Sequence, residues 1–176
     1  VKDGDDFVIN GSKMWITSGT QADWMCMLAN TDNVAKNKHL NKSLICVPLK
    51  ENGKRAKGVT INRKLKKMGM HSSDTAEIFF EDVRVPQSYL VGEEGKGFVY
   101  QMMQFQEERL YAAIANYTSC ELAINQTIDY TRQRKTFGKP ILDNQVVHFK
   151  LAELMTEVEA LKALTWKGID IHVNGG

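Results

Sequence analysis

The sequence is poor in residues that tie a chain together covalently or through metal. Three cysteines occur among 176 residues, Cys26, Cys46 and Cys120, an odd number with no Cys-x-x-Cys pair. That excludes a disulfide framework. Cys26 and Cys46 sit in apolar, strand-like runs and Cys120 in a helical one, so three reduced, mostly buried thiols in an intracellular protein are expected. His39, His71, His148 and His172 show no metal-ligand spacing, and no metal site is expected. The net charge of +2 is too small to argue for a nucleic-acid or membrane surface. No apolar run approaches the ~18 residues that span a bilayer. Residue 1 lies in polar, turn-like sequence, with no targeting segment in view. Proline is scarce, at three residues, and none falls between Gly97 and Lys139, which leaves room for one long helix.

What is present falls into two halves of different period. Residues 1–86 read as short strands. Two β-prone runs flank Asn10-Gly11, a dipeptide that tolerates the positive φ of a two-residue turn, so a hairpin is expected there. Further strands are expected at residues 23–29, 43–49, 59–65 and 76–80, separated by the polar or glycine-containing segments 30–41 and 51–58. No helix-length periodic segment interrupts them, which argues against βαβ units and for a sandwich or barrel. Arg63, Lys64, Lys66 and Lys67 read as a solvated strand edge. Pro86 ends this half. Residues 87–97 read as a linker, and its glycine cluster fits neither a P-loop nor a dinucleotide fingerprint.

From Phe98 the period changes. Met102, Phe105, Arg109, Ala112 and Asn116 follow steps of four and three, one face of a helix. The helix is expected to reach about residue 134, over ~50 Å at roughly 1.5 Å per residue. A break follows at Phe137-Gly138-Lys139-Pro140. A second helix is expected from about residue 143 to 172, with Val147, Leu151, Leu154, Val158 and Leu161 on its apolar face. Two helices cannot bury this much apolar surface alone, so the rest of a bundle is expected outside this chain or from other subunits. The expected class is therefore α+β: an antiparallel β-barrel or sandwich domain at 1–86, then at 87–176 the first two long antiparallel helices of an incomplete four-helix bundle.

Four motifs occur in order along this layout: Met14-Trp15-Ile16-Thr17-Ser18; Met68-Gly69 with Ser73-Asp74-Thr75; Phe80-Glu81-Asp82-Val83-Arg84-Val85-Pro86; and Gln133-Arg134-Lys135-Thr136-Phe137-Gly138 with Gln145. Together they resemble the acyl-CoA dehydrogenase family across essentially the whole chain. Glu108-Arg109-Leu110 is most similar to its long-chain and isovaleryl branches. The resemblance implies an N-terminal helical domain, a middle β-barrel and a C-terminal four-helix bundle. This chain would hold the barrel and the first two bundle helices, and alone would bind cofactor and substrate poorly.

The implied reaction is α,β-dehydrogenation of an acyl-CoA thioester with FAD as cofactor. A carboxylate base removes the α proton while the β carbon loses hydride to the flavin. Family members carry the base either at this point of the long helix or on a late C-terminal segment. Glu108 is the candidate of the first kind; the bland alternative is a solvated helix glutamate. Arg109, in the apolar phase of the helix, needs a partner or a function. With Gln106, Glu107 and Glu108 it would line the substrate site. Trp15, Ile16 and Thr17 carry over as flavin contacts, against the alternative of an ordinary barrel face with one buried tryptophan. Arg134, Thr136, Phe137 and Gln145 would reach the flavin of a neighbouring subunit, Arg134 at the pyrophosphate. The implied partners are acyl-CoA, electron transfer flavoprotein as acceptor, and further copies of the chain, at least a dimer and by family a tetramer. No nucleic acid, membrane span or metal is implied. The compartment would be the mitochondrial matrix in a eukaryote or the cytoplasm in a bacterium. An acyl-CoA oxidase, a flavin monooxygenase and a nucleic-acid-binding relative share the scaffold and stay open.

Overall fold

The computed structural model describes residues 1–32 and 39–175; part of the expected 30–41 separator therefore lies outside the described residues. The chain divides into two compact units, Val1–Met102 and Met103–Gly176. The first contains two antiparallel sheets. One is ordered β1-β2-β8-β7, from β1 (Lys2–Asp3), β2 (Asp6–Thr17), β7 (Val59–Lys64) and β8 (Thr75–Pro86). The other is ordered β3-β4-β9, from β3 (Trp24–Asn30), β4 (Lys42–Pro48) and β9 (Leu90–Val91). A small hairpin of β5 (Lys50–Glu51) and β6 (Lys54–Arg55) lies between β4 and β7 in the chain.

Alternation along the strands builds one core between the two sheets. Phe7 and Ile9 of β2 and Ile78 and Phe80 of β8 meet Met27 of β3 and Ile45 and Val47 of β4. Each such fully buried side chain contributes roughly 1.5–3 kcal/mol. Lys13 of β2 crosses between the sheets, its Nζ donating to the Leu28 carbonyl at 2.7 Å. Burial lowers its pKa. Arg63 and Lys64 of the basic run sit on an edge strand as expected, since β7 ends its sheet, and Lys66 follows, exposed, beyond the strand end. Lys67, however, is turned inward, donating to the Ser73 carbonyl at 2.8 Å and to Thr75 Oγ1 at 2.9 Å.

The hairpin expected at Asn10-Gly11 does not form. Residues 6–17 are one continuous strand paired along β8, with a register shift between Ile9 and Gly11. The Asn10 side chain bonds both the backbone N–H and the carboxylate of Asp82, at 2.9 and 3.0 Å. Asp82 takes φ +49, so the irregularity is absorbed as a bulge rather than a reversal. The Asn-Gly turn occurs instead at Asn52-Gly53, where φ of +49 and +75 close the β5–β6 hairpin. The expected linker also carries more structure than foreseen: β9 within it pairs β4 through Leu44 and Ile45.

The expectation of mostly buried thiols is corrected as well. Cys26 and Cys120 are exposed and Cys46 is intermediate. On β3 and β4 the inward positions belong to Met27, Ile45 and Val47, so the cysteines fall on the outward phase.

Helix α1 (Gly97–Gln133) and helix α2 (Gln145–Val173) match the expected lengths to within about two residues. At the start of α1, a Cβ on Gly97 would stand 2.6 Å from Ser43 and Leu44 backbone atoms, so only glycine fits that approach. Between the helices lie strands β10 (Lys135–Thr136) and β11 (Lys139–Pro140) and a short 3₁₀ turn, Ile141–Asp143. Asn144 then caps α2, its carbonyl accepting from the N–H groups of Val147 and His148. Within the second unit the helices pack through Ile124 and Ile128 against Val147, Leu151, Leu154 and Val158. Glu121 and Lys162 bridge them at 3.3 Å.

The expected α1 face is offset. Ala112 and Asn116 are exposed, and the covered stripe of this unit runs through Leu110, Ala113, Ile114, Tyr117, Glu121, Ile124, Ile128 and Thr131. A single partner helix covers one narrow stripe, and the stripe through Arg109 lies about 100° away, one residue round the helix. On α2, Leu161 is half out while Leu151, Val158 and Thr165 are buried at seven-residue spacing. Large apolar side chains remain outside, among them Leu122, Phe149, Leu164 and Trp166. No helix among the described residues is long and apolar enough to cross a membrane.

Candidate active site

The candidate residues fall on three stretches: the end of β2, the early turns of α1, and the connection into α2.

At the end of β2, a register shift between Lys13 and Ile16 bulges Met14 and Trp15 out of the ladder. Trp15 takes φ +64, a sparsely populated conformation for a bulky side chain that costs on the order of 1–3 kcal/mol. Its indole is 65% exposed, so this is not a buried core tryptophan. Ile16 packs against the core, and Thr17 points out with Trp15. Strain of this size persists where the surroundings over-determine it, and the following turn supplies that restraint. Asp74 accepts from the Thr20 N–H at 2.8 Å through Oδ2, and its backbone carbonyl accepts from Ser18 N–H at 2.9 Å. Arg55 donates to the Thr20 carbonyl at 2.9 Å. The Asp74 side chain is only 2% exposed, with Lys64 Nζ 3.9 Å from Oδ1. Burial pushes its pKa up, but the Thr20 hydrogen bonds and the charges of Lys64 and Lys67 outweigh it and hold the carboxyl below its usual range. The sequence showed Asp74 only as part of a motif; its anchoring role appears once the strand ends are brought together.

On α1, Gln106, Glu107, Glu108 and Arg109 are all exposed within this chain. Consecutive helical residues are about 100° apart, so the four fan around the axis rather than facing one point. Gln106 and Arg109 share a face with Leu110 and line an open groove of about 380 Å³ with Gly168, Ile171 and His172 of α2. The Arg109 guanidinium stands 5.6 Å from the centre of the Phe105 ring. Glu108 points elsewhere and accepts from Gln104 Nε2 at 3.0 Å. Among the described residues no cation lies within ion-pair distance of it.

At the connection, Phe137 and Gly138 form the two-residue turn of the β10–β11 hairpin, with φ of +51 and +81. A phenylalanine in that position is strained, and its ring is fully exposed. Arg134 and Thr136 are exposed on the same hairpin, and Gln145 is exposed at the first position of α2. Arg109 and Arg134 stand 25 residues apart on and just beyond α1, about 37 Å along its axis. The cavity of about 340 Å³ opening beside β2 and β3, lined by Ile9, Asn10, Lys13, Met27 and Phe80, includes none of the candidates. No metal-binding cluster occurs among the described residues.

Comparison with known proteins defines the class. The acyl-CoA dehydrogenase middle-domain model matches residues 1–83, and the acyl-CoA dehydrogenase C-terminal-domain model matches residues 95–176. The chain belongs to the acyl-CoA dehydrogenase family. Among individual relatives, it is 43% identical over 171 residues to the long-chain specific mitochondrial acyl-CoA dehydrogenase of Rattus norvegicus, covering 97% of this chain and 39% of that protein. It is 33% identical to the short-chain specific mitochondrial enzyme of Homo sapiens, covering 98% and 40%. The crystal structure of an acyl-CoA dehydrogenase from Geobacillus kaustophilus superposes with TM-score 0.88 at 42% identity, covering 99% of this chain and 44% of that one. The chain thus spans about two fifths of the length of these relatives.

Proposed function

We propose that the full-length protein is a flavin-dependent acyl-CoA dehydrogenase that removes hydrogen from the α and β carbons of an acyl-CoA thioester, with long or branched acyl groups as its substrates. The observation that carries this reading is the carboxylate of Glu108. It stands outward on α1 beside Arg109, without a described cation to hold it as a surface ion pair, in a chain whose two halves match that family.

Glu108 takes the α proton of the substrate. Gln106, Glu107 and Arg109, its neighbours on α1, are assigned to binding and orienting the substrate; of these, Gln106 and Arg109 line one groove. The chain offers features suited to FAD: Trp15, held outward under strain, presents a flat apolar face, and Thr17 beside it presents a hydroxyl. A bound flavin supplies the acceptor for the hydride leaving the β carbon. The Ile16 backbone fixes the spacing of these two contacts. Arg134 offers a guanidinium fork for the pyrophosphate, with Thr136, Gln145 and the projecting Phe137 ring around it. The distance along α1 between Arg109 and Arg134 supports assigning the second group to the flavin of a neighbouring subunit, and hence a dimer at least and a tetramer by family. Electron transfer flavoprotein is the proposed acceptor. We set the domain boundary between residues 86 and 87, with β9 and the first turn of α1 packed back on the first compact unit; the compartment is the mitochondrial matrix in a eukaryote or the cytoplasm in a bacterium.

The test is turnover by the full-length, flavin-loaded protein on short, long and branched acyl-CoAs with an artificial electron acceptor. Enoyl-CoA formation that requires the acceptor supports the proposal. Enoyl-CoA formation with oxygen consumed and no acceptor needed assigns an oxidase instead, and bound flavin without any thioester turnover sinks the reading.

A further inference from the structure

Cys26 of β3 and Cys46 of β4 occupy directly opposed positions of one antiparallel pair. Both fall on the outward phase of that sheet, Cys26 exposed and Cys46 half-covered. Burial and the neighbouring Cys46 push the Cys26 thiol up. Opposed Cβ atoms in an antiparallel pair lie about 4.5–5.5 Å apart. A disulfide brings them to about 3.8 Å. Closure thus asks for a movement on the order of 1 Å between two strands, with no rearrangement of topology. The third cysteine, Cys120, lies on α1 in the other compact unit.

We propose that Cys26 and Cys46 form a reversible dithiol–disulfide couple that exchanges with low-molecular-weight disulfides such as oxidised glutathione. Cys26, the more exposed, loses its proton and attacks one sulfur of the small disulfide. The small disulfide's S–S bond breaks, one small thiolate leaves and takes up a proton, and a mixed disulfide remains on Cys26. Cys46 then loses its proton and attacks the Cys26 sulfur, expelling the second small thiol. Two protein thiols are oxidised to one disulfide and one small disulfide is reduced to two thiols. The raised Cys26 pKa makes the first step slow. Residual strain from pulling the strands together keeps the product easily reduced, as reversibility requires. The cross-link fixes the β3–β4 register across the chain between residues 26 and 46.

The experiment incubates the full-length, flavin-loaded protein with oxidised glutathione, blocks remaining thiols with iodoacetamide, and maps peptides by mass. The expected result is a Cys26–Cys46 linked peptide pair, lighter by two hydrogens than the reduced pair, protected from alkylation and released by dithiothreitol. The Cys46→Ser variant, close in volume, then stops at glutathione on Cys26. The reciprocal Cys26→Ser variant gives no linked pair. Full alkylation of both cysteines in treated wild type would overturn the proposal. So would a wild type that halts at the mixed disulfide as the variant does, or a Cys26 joined to another cysteine.

Discussion

Replacing Asp74 should loosen the turn behind Trp15, and its effect should depend on pH in a way that a packing defect would not. The side chain is nearly completely buried and its carboxylate accepts from Thr20 N–H at 2.8 Å. A hydrogen bond to a charged group contributes about 1.5–3 kcal/mol. Lys64, at 3.9 Å from the other oxygen and 57% exposed, adds under about 1 kcal/mol after screening by solvent. Asp74→Ala should therefore cost about 2–3 kcal/mol near pH 7, and Asp74→Asn, which keeps an acceptor, about 1 kcal/mol. The native carboxyl is held below its unfolded value. Its contribution is thus fully present above the unfolded value of about 3.9 and is lost as pH falls through the lower folded value. Urea unfolding of wild type and Asp74→Asn should show a stability gap that narrows from about pH 7 to about pH 3. Hydrogen exchange at Ser18 and Thr20 should speed up in the variants. A gap that stays constant or widens in acid would refute the charge-based anchor.

Three further outcomes follow from the packing. Ile78→Ala removes a fully buried side chain from β8, which pairs with both β2 and β7, and should lower stability by about 2–5 kcal/mol, read as a fall in the urea midpoint. Gly97→Ala would gain up to about 1 kcal/mol from helix propensity alone; its Cβ would sit 2.6 Å from β4 backbone, so thermal melting should instead show a net loss of about 1–3 kcal/mol. Phe137→Ala removes a fully exposed ring, so melting of the chain should move by no more than about 0.5 kcal/mol, while flavin content and subunit assembly of the full-length protein fall.

The regular parts of the fold were legible because their periods are local properties of the chain. The change from strand alternation to helical spacing near Phe98, the proline-free run after Gly97, and the breaks at Phe137-Gly138 and Pro140 all carried through. What the sequence could not show were choices made between segments. Asn10-Gly11 and Asn52-Gly53 carry the same turn dipeptide. Only the latter reverses the chain, because Asn10 is engaged by Asp82 from a strand 72 residues away. Cys26 and Cys46 look like core from their neighbours, yet pleat phase turns them outward, and that phase is set by which face meets Ile78 and Phe80. The α1 stripe was misplaced because α2 selects the stripe through Tyr117 and Ile124, leaving the one through Arg109 outside it. At the candidate site, residue types were legible through the family motifs. The strained backbone at Trp15 and Phe137 and the buried anchor at Asp74 were not, since positive φ in a bulky residue and long-range anchoring leave no local pattern.

The central claim, that Glu108 is the base of an acyl-CoA dehydrogenation, is tested most directly by mixing the flavin-loaded full-length protein anaerobically with a preferred acyl-CoA and following flavin absorbance. Wild type should bleach. Glu108→Gln, with flavin content unchanged, should bleach slower by a factor on the order of 10²–10⁴, the contribution of a positioned general base. Equal bleaching rates in the two proteins would contradict the claim and place the base elsewhere.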